Sequence, residues 1–156
     1  MVIIRVAYFS RNRLDCFNAP MIDRVAEILA ASIANNRRDE ITGALLYDDK
    51  WFAQALEGGE RAVTNAFERI LRDQRHCDVT LVAMGPIVER RFAASPMAVV
   101  VRGADNSDLF HHFGESERFD PALMSADRLT QLIEAVVDRS LAGKTPKTRW
   151  NATSAA

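Results

Sequence analysis

Cysteine is scarce in this sequence, and its placement rules out the usual chemistry. Only Cys16 and Cys77 occur among 156 residues. They are far apart and form no C-x-x-C or metal-ligand spacing, so neither a redox motif nor a zinc site is expected. An excess of charge is missing too. The 20 Lys and Arg nearly balance the 21 Asp and Glu, for a net charge of −1, and no basic stripe or acidic block stands out. That argues against nucleic acid or an anionic membrane as the main partner. Nothing approaches the roughly 18 apolar residues of a membrane span. The apolar start, residues 1–9, is short, carries Arg5 and lacks a signal-cleavage site, so the expected setting is the cytoplasm. G-x-G-x-x-G, P-loop and H-E-x-x-H motifs are all absent.

What is present is the composition of a globular domain: 48% hydrophobic and 26% charged residues. A chain of this length makes one ordinary domain with a small appendage, and it buries enough core to need no metal or disulfide.

The pattern centres on two apolar runs, residues 41–47 and 51–58, joined by Asp48-Asp49-Lys50. They read as a β-hairpin. Period-2 alternation puts Phe52, Gln54 and Leu56 on one face and Trp51, Ala53 and Ala55 on the other. Gln54 therefore points with large apolar side chains. A buried carboxamide left unpaired costs ~1–3 kcal/mol, so it needs a polar partner, either backbone or another side chain.

Upstream, residues 2–10 alternate as a strand with Ile4, Val6, Tyr8 and Ser10 on one face. A polar loop with Arg11, Asn12, Arg13 and Asp15 leads to helix-start signals at Asn18 and Pro20. Met21, Ile22, Val25, Ile28 and Leu29 recur at helical spacing, predicting a helix to about Asn35-Asn36. After the hairpin, Glu60 opens a second helix with Val63, Phe67, Ile70 and Leu71 on its buried stripe, ending in Asp73-Gln74-Arg75-His76. Residues 79–84 form a strand stopped by Gly85-Pro86, Glu89-Arg90-Arg91 a connector, and residues 97–102 a fifth strand.

The order β-α-β-β-α-β-β predicts an α+β fold whose first six elements are ferredoxin-like, with both helices on one face of the sheet. The first and third strands are then neighbours, and Tyr8 meets Gln54: a phenol donor beside a carboxamide. Residues 104–143 form a C-terminal extension. It begins as an acidic connector with Asp105, Asp108, Glu115 and Glu117. It continues as a helix capped by Ser125 and ended by Gly143, with the stripe Leu129, Leu132, Ile133, Val136, Val137 and Leu141. That stripe packs on the open face of the sheet or on a partner helix, with the sheet favoured. Residues 144–156 are expected to be a mobile tail.

Other features carry less. Gly58-Gly59 sits between strand and helix, where a tight turn explains it better than a phosphate site. His111-His112 and Arg90-Arg91 read as solvated surface pairs. Arg11 and Arg13 follow the first strand without the glycine that an anion cradle of the acylphosphatase kind needs.

Four pieces together resemble the BLUF family of flavin-using blue-light sensors. They are Tyr8-Phe9-Ser10, Asn35-Asn36 before Ile41-Thr42-Gly43, the run Phe52-Ala53-Gln54-Ala55-Leu56-Glu57-Gly58, and Asp73-Gln74-Arg75-His76. The resemblance covers roughly residues 1–102 and implies a photosensory domain over 1–103. It implies a non-covalent flavin (FAD, with FMN or riboflavin as alternatives) between the two helices. Ser32, Asn36 and Gln54 would bond its polar edge, Ile28 and Ile70 would flank the ring, and Asp73, Arg75 and His76 would lie near the ribityl side. Tyr8, Gln54 and Met97 would be the photoactive group. In such sensors, light drives electron and proton transfer from the Tyr, the Gln rearranges, and the absorption shifts to the red. The loop after the first strand is longer than in compact members, and Ser95 stands where many members have Trp. Too few residues follow the fifth strand for a cyclase or phosphodiesterase domain, so the expected output runs through a partner protein or a homo-oligomer, without enzymatic activity. The competing readings are a light-independent interaction module of the same fold and a small flavin-dependent or acylphosphatase-like enzyme.

Overall fold

The structure is a computed structural model, and it describes residues 1–14, 20–114 and 118–143, without the side chains of Met21 and Ile22. The expected tail, residues 144–156, and the cap residue Asn18 lie outside the described residues, as do Cys16, Glu115 and Glu117.

Five strands form one sheet: β1 (Ile3–Asn12), β2 (Thr42–Tyr47), β3 (Trp51–Gly59), β4 (His76–Pro86) and β5 (Ala98–Val101). Their order is β4-β1-β3-β2-β5. The first four strands pair antiparallel, and β5 adds parallel to β2. The helices α1 (Met21–Arg38) and α2 (Glu60–Leu71) cover one face. There Val25, Val63 and Ala66 pack on Ile4, Val6, Leu45, Phe52 and Leu56. The other face is covered by α3 (Ser107–Phe113) and α4 (Ala126–Ala142). Phe110, Leu129, Leu132, Ile133, Val136 and Val137 meet Phe9, Ala44, Leu46, Trp51, Ala53 and Ala55 there. The C-terminal stripe therefore packs on the sheet, and the extension has its apolar core in common with β1, β2 and β3.

Local chemistry explains the element ends. Asp48 Oδ1 accepts from the backbone N–H groups of Lys50 and Trp51, each at 2.8 Å, and closes the β2–β3 turn. Ser125 caps α4 by accepting from Arg128 N at 3.3 Å. Asp23 in the first turn of α1 and Arg37 and Arg38 in its last turn complement the helix dipole. Gly43 meets a tighter constraint: a Cβ there would stand 2.4 Å from Ala55 O across the ladder, a contact no side chain tolerates.

Several expected boundaries move. β1 continues through Arg11 and Asn12, which pair with Trp51 and His76 instead of starting a loop. β4 begins at His76, and Gly85-Pro86 do not stop it: they pair with Arg5 and Ile4. Proline is tolerated because β4 is an edge strand, where a missing N–H breaks no ladder bond. β5 is shorter than expected, without Met97 and Arg102. The acidic connector is partly helical, forming α3. Leu71 and Leu141 leave their stripes and are 52% and 46% exposed, since each lies at a helix end beyond the reach of the sheet.

Leu132 is fully buried between α4 and the sheet. Leu132→Ala is expected to cost about 2–5 kcal/mol in chemical denaturation, the range for a large-to-small change in a packed core. A loss below about 1 kcal/mol would mean that α4 is not packed on the sheet.

Candidate functional site

β1 and β3 place Tyr8 directly opposite Gln54 in the ladder, so both side chains rise from the same face, under α1 and α2. Both are buried. The Tyr8 hydroxyl donates a hydrogen bond to Gln54 Oε1. The amide nitrogen of Gln54 donates to Met97 Sδ at 3.4 Å. A thioether is a weak acceptor, so a buried amide with two N–H groups has one weak partner among the described residues. Burial, and secondarily the charge of Asp73, push the Tyr8 phenol above its ordinary range. Tyr8 is therefore the donor of the pair at any physiological pH, and Gln54 is held carbonyl-first toward it.

Two adjoining clefts open over this pair. The first, about 70 Å³, is lined by Tyr8, Ile28, Ser32, Gln54, Ile70 and His76, among others, with Leu45 and Phe52 on its floor. The second, about 150 Å³, has Asn36, Leu56, Ala66 and Met97 in its wall. Ser32, Gln54, Ile70, Asp73 and Arg75 line both. All ten residues expected at the site from sequence are thus gathered between α1 and α2. Leu45, on the neighbouring strand β2, was not anticipated; its signal was the same period-2 alternation that placed Phe52.

His76 is oriented at both nitrogens. Nε2 lies 2.7 Å from Ile70 O, and Nδ1 2.7 Å from Ser10 Oγ. A carbonyl only accepts, so Nε2 carries a proton toward Ile70 O, while Nδ1 is bonded to the fully buried Ser10 hydroxyl. Ile70 belongs to the last turn of α2, so His76 satisfies a helix-end carbonyl and lines the cleft at once. Asn36 sits inside the last turn of α1, which runs on to Arg38, and its Nδ2 donates to Pro96 O at 2.7 Å. That bond ties α1 to the segment before Met97.

Asp73 and Arg75 form a close ion pair beside the cleft, and Asp73 Oδ1 also accepts from Arg75 N at 2.9 Å. Burial raises the Asp73 carboxyl, but these bonds outweigh it and hold the carboxyl below its ordinary value. The Arg75 guanidinium is held above its own, chiefly by the bond to Asp73. A depressed carboxyl stabilises the folded state above its unfolded pKa, near 4, and loses that contribution as pH falls through the folded value. Asp73 is therefore expected to titrate below the ordinary carboxylate value when its carboxyl carbon is followed by NMR. Titration at or above that value would mean the pair is not formed.

His111-His112 lie apart from the clefts, on α3, where Arg128 donates to His112 O and Phe113 O, each at 2.9 Å. Among the described residues, no cluster of metal-ligating side chains occurs and no helix is long and apolar enough to cross a membrane.

Comparison with known proteins agrees with this geometry. The family model described as BLUF, sensors of blue-light using FAD, matches residues 3–98. Over 66 residues the chain is 42% identical to the photoactivated adenylate cyclase subunit beta of Euglena gracilis, and over 70 residues 41% identical to the subunit alpha. These alignments take in 42% and 45% of this chain but only 8% and 7% of those relatives. Among solved structures, the photo-activated state of BlsA matches with a TM-score of 0.78 and 28% identity, over 86% of this chain and 94% of that one. BlrB, a BLUF protein in its dark state, matches with a TM-score of 0.74 and 29% identity, over 89% and 97%. A bacterial light-regulated adenylyl cyclase matches over 93% of this chain and 37% of its own, with a TM-score of 0.63 and 25% identity. With the family model spanning well over half of its residues and Tyr8 bonded to Gln54 in the cleft, the chain belongs to the BLUF family of flavin-based blue-light sensors.

Proposed function

We propose that residues 1–103 form the photosensory unit, that a flavin seats between α1 and α2, and that α4 passes the light signal to a partner protein or a second copy. The observation that carries this reading is the Tyr8–Gln54–Met97 chain, in which a phenol donor and a weak sulfur acceptor hold the two ends of one buried amide. Ser32, Asn36 and Gln54 would bond the polar edge of the ring, Ile28 and Ile70 would flank it, and Asp73, Arg75 and His76 would lie toward its side chain. The donor set fits a flat heteroaromatic group: amides and a hydroxyl beside aliphatic walls. Both clefts are smaller than the roughly 300–1,000 Å³ of typical cofactor sites. The Asp73–Arg75 pair, which lines both, would then have to swing aside on entry. FAD is the favoured form, with FMN and riboflavin as alternatives.

A bound flavin supplies blue-light absorption and an electron acceptor. The protein supplies the response. Burial and the Asp73 charge disfavour a phenolate, so the proton on the Tyr8 oxygen stays unless the phenol also gives up an electron. The Gln54 amide offers a donor at one end and an acceptor at the other, and so can be satisfied in two arrangements. Exchange between them would change what Met97 and a ring held in the cleft receive. We infer no enzymatic output from these residues, since the cyclase relatives extend far beyond the matched part.

The purified protein is expected to show a flavin spectrum that moves to longer wavelength under blue light and recovers in darkness, with the shift abolished by Tyr8→Phe. A flavin that does not respond would overturn the sensing role. Failure to take up flavin on reconstitution would favour a light-independent interaction module. Amide hydrogen exchange along α4 is expected to differ between dark and illuminated protein. Identical protection in both states would remove α4 from the output route.

A further inference from the structure

Resting on that reading, we propose that Glu57 is a positioning residue for the photoactive amide. Its carboxylate holds the segment 91–97 in the register that sets the Met97 sulfur on Gln54. Glu57 follows Gln54 by three residues on β3 and so rises from the opposite face of the sheet. It is fully buried. Arg5 binds it from β1, with Nε 2.8 Å and Nη2 2.6 Å from Oε1. Its oxygens also accept from two successive backbone N–H groups, Arg91 N at 3.2 Å and Phe92 N at 3.0 Å.

Those two N–H groups belong to residues 87–97, which form neither helix nor strand. No ladder fixes that segment; it is held by Glu57, by Asn36 Nδ2 donating to Pro96 O at 2.7 Å, and by single backbone bonds such as Gly43 N to Ser95 O. From Phe92 the bonds run onward without a gap. Ser95 N donates to Phe92 O at 3.1 Å, Gly43 N to Ser95 O at 3.3 Å, and Met97 N to Ser95 Oγ at 3.2 Å. Met97 then accepts from Gln54. The buried carboxylate is the near end of this chain, and the photoactive amide is the far end. Phe92, itself buried, lies 5.9 Å beneath the Arg5 guanidinium and reinforces the same anchor.

A glutamine at position 57 would keep the shape but present one NH₂ where the carboxylate presents an oxygen. At least one donor among Arg5, Arg91 and Phe92 would then face another donor. The segment is expected to shift and carry Met97 with it.

The test is Glu57→Gln, read in two ways. Without flavin or light, the ¹³C resonance of the Met97 ε-methyl should move in the variant; an unmoved resonance overturns the proposal. In the flavin-loaded protein, dark recovery in Glu57→Gln should change in the same direction as in Met97→Ala. The double variant should recover within about twofold of Met97→Ala alone, because residues acting through one contact are not additive. Additive effects would make Glu57 a structural residue only, and overturn the proposal. If Glu57→Gln does not fold, Ser95→Ala removes the next link. An unchanged Met97 resonance there overturns the proposal too. A wild type that loads flavin but does not respond to light refutes the sensing reading, while the methyl resonance still decides the role of Glu57.

Discussion

Residues 51–58 of β3 are all buried, because helices cover the sheet on both faces. The strand nevertheless carries two side chains that water cannot serve, Gln54 and Glu57. Each must be satisfied inside the protein, and an unpaired polar group there is heavily penalised. Much of the remaining architecture supplies those partners. Gln54 draws Tyr8 from β1 and Met97 from the approach to β5. Glu57, on the opposite face, draws Arg5 from β1 and the backbone of Arg91 and Phe92.

The two sets of partners differ in kind, and the difference suits their roles. Glu57 has charged and backbone donors at hydrogen-bond distance, an arrangement with few alternatives. Gln54 has a phenol donor at its oxygen and, among the described residues, a sulfur alone at its nitrogen, which leaves its amide nearer to indifference between arrangements. A rigid scaffold around one adaptable side chain is what a two-state sensor requires. The raised Tyr8 phenol adds to this by keeping its proton in place in the resting protein.

The extension adds a third layer without a separate core. Leu129, Leu132, Ile133 and Val136 complete the apolar interior begun by Phe9, Ala53 and Ala55. At the rim, Glu134 of α4 lies 3.6 Å from Arg5 and 3.8 Å from Arg91. Burial at this surface dominates the attachment of α4. The rim charges, partly exposed, contribute little energy.

Periodicity alone determined a good deal. The alternation in residues 2–10 and 51–58 placed Tyr8 and Gln54 on one face, and the element order made their strands neighbours, so the central pair was legible before any coordinates. The helical stripes likewise identified α1, α2 and α4. Motif resemblance, not patterning, pointed to Ser32, Asn36, Asp73, Arg75 and His76, since isolated polar residues at helix ends have many ordinary explanations. Strand ends were misread where pairing overrode local punctuation: Gly85-Pro86 stay in β4 because an edge strand needs no N–H on its outer side. The partners of Glu57 were invisible in the sequence. They lie 52, 34 and 35 residues away, in an adjacent strand and an irregular segment. Short-range chemistry is written in the order of residues, but a buried charge takes its partners from whatever the completed fold brings within reach, and only the tertiary structure decides that.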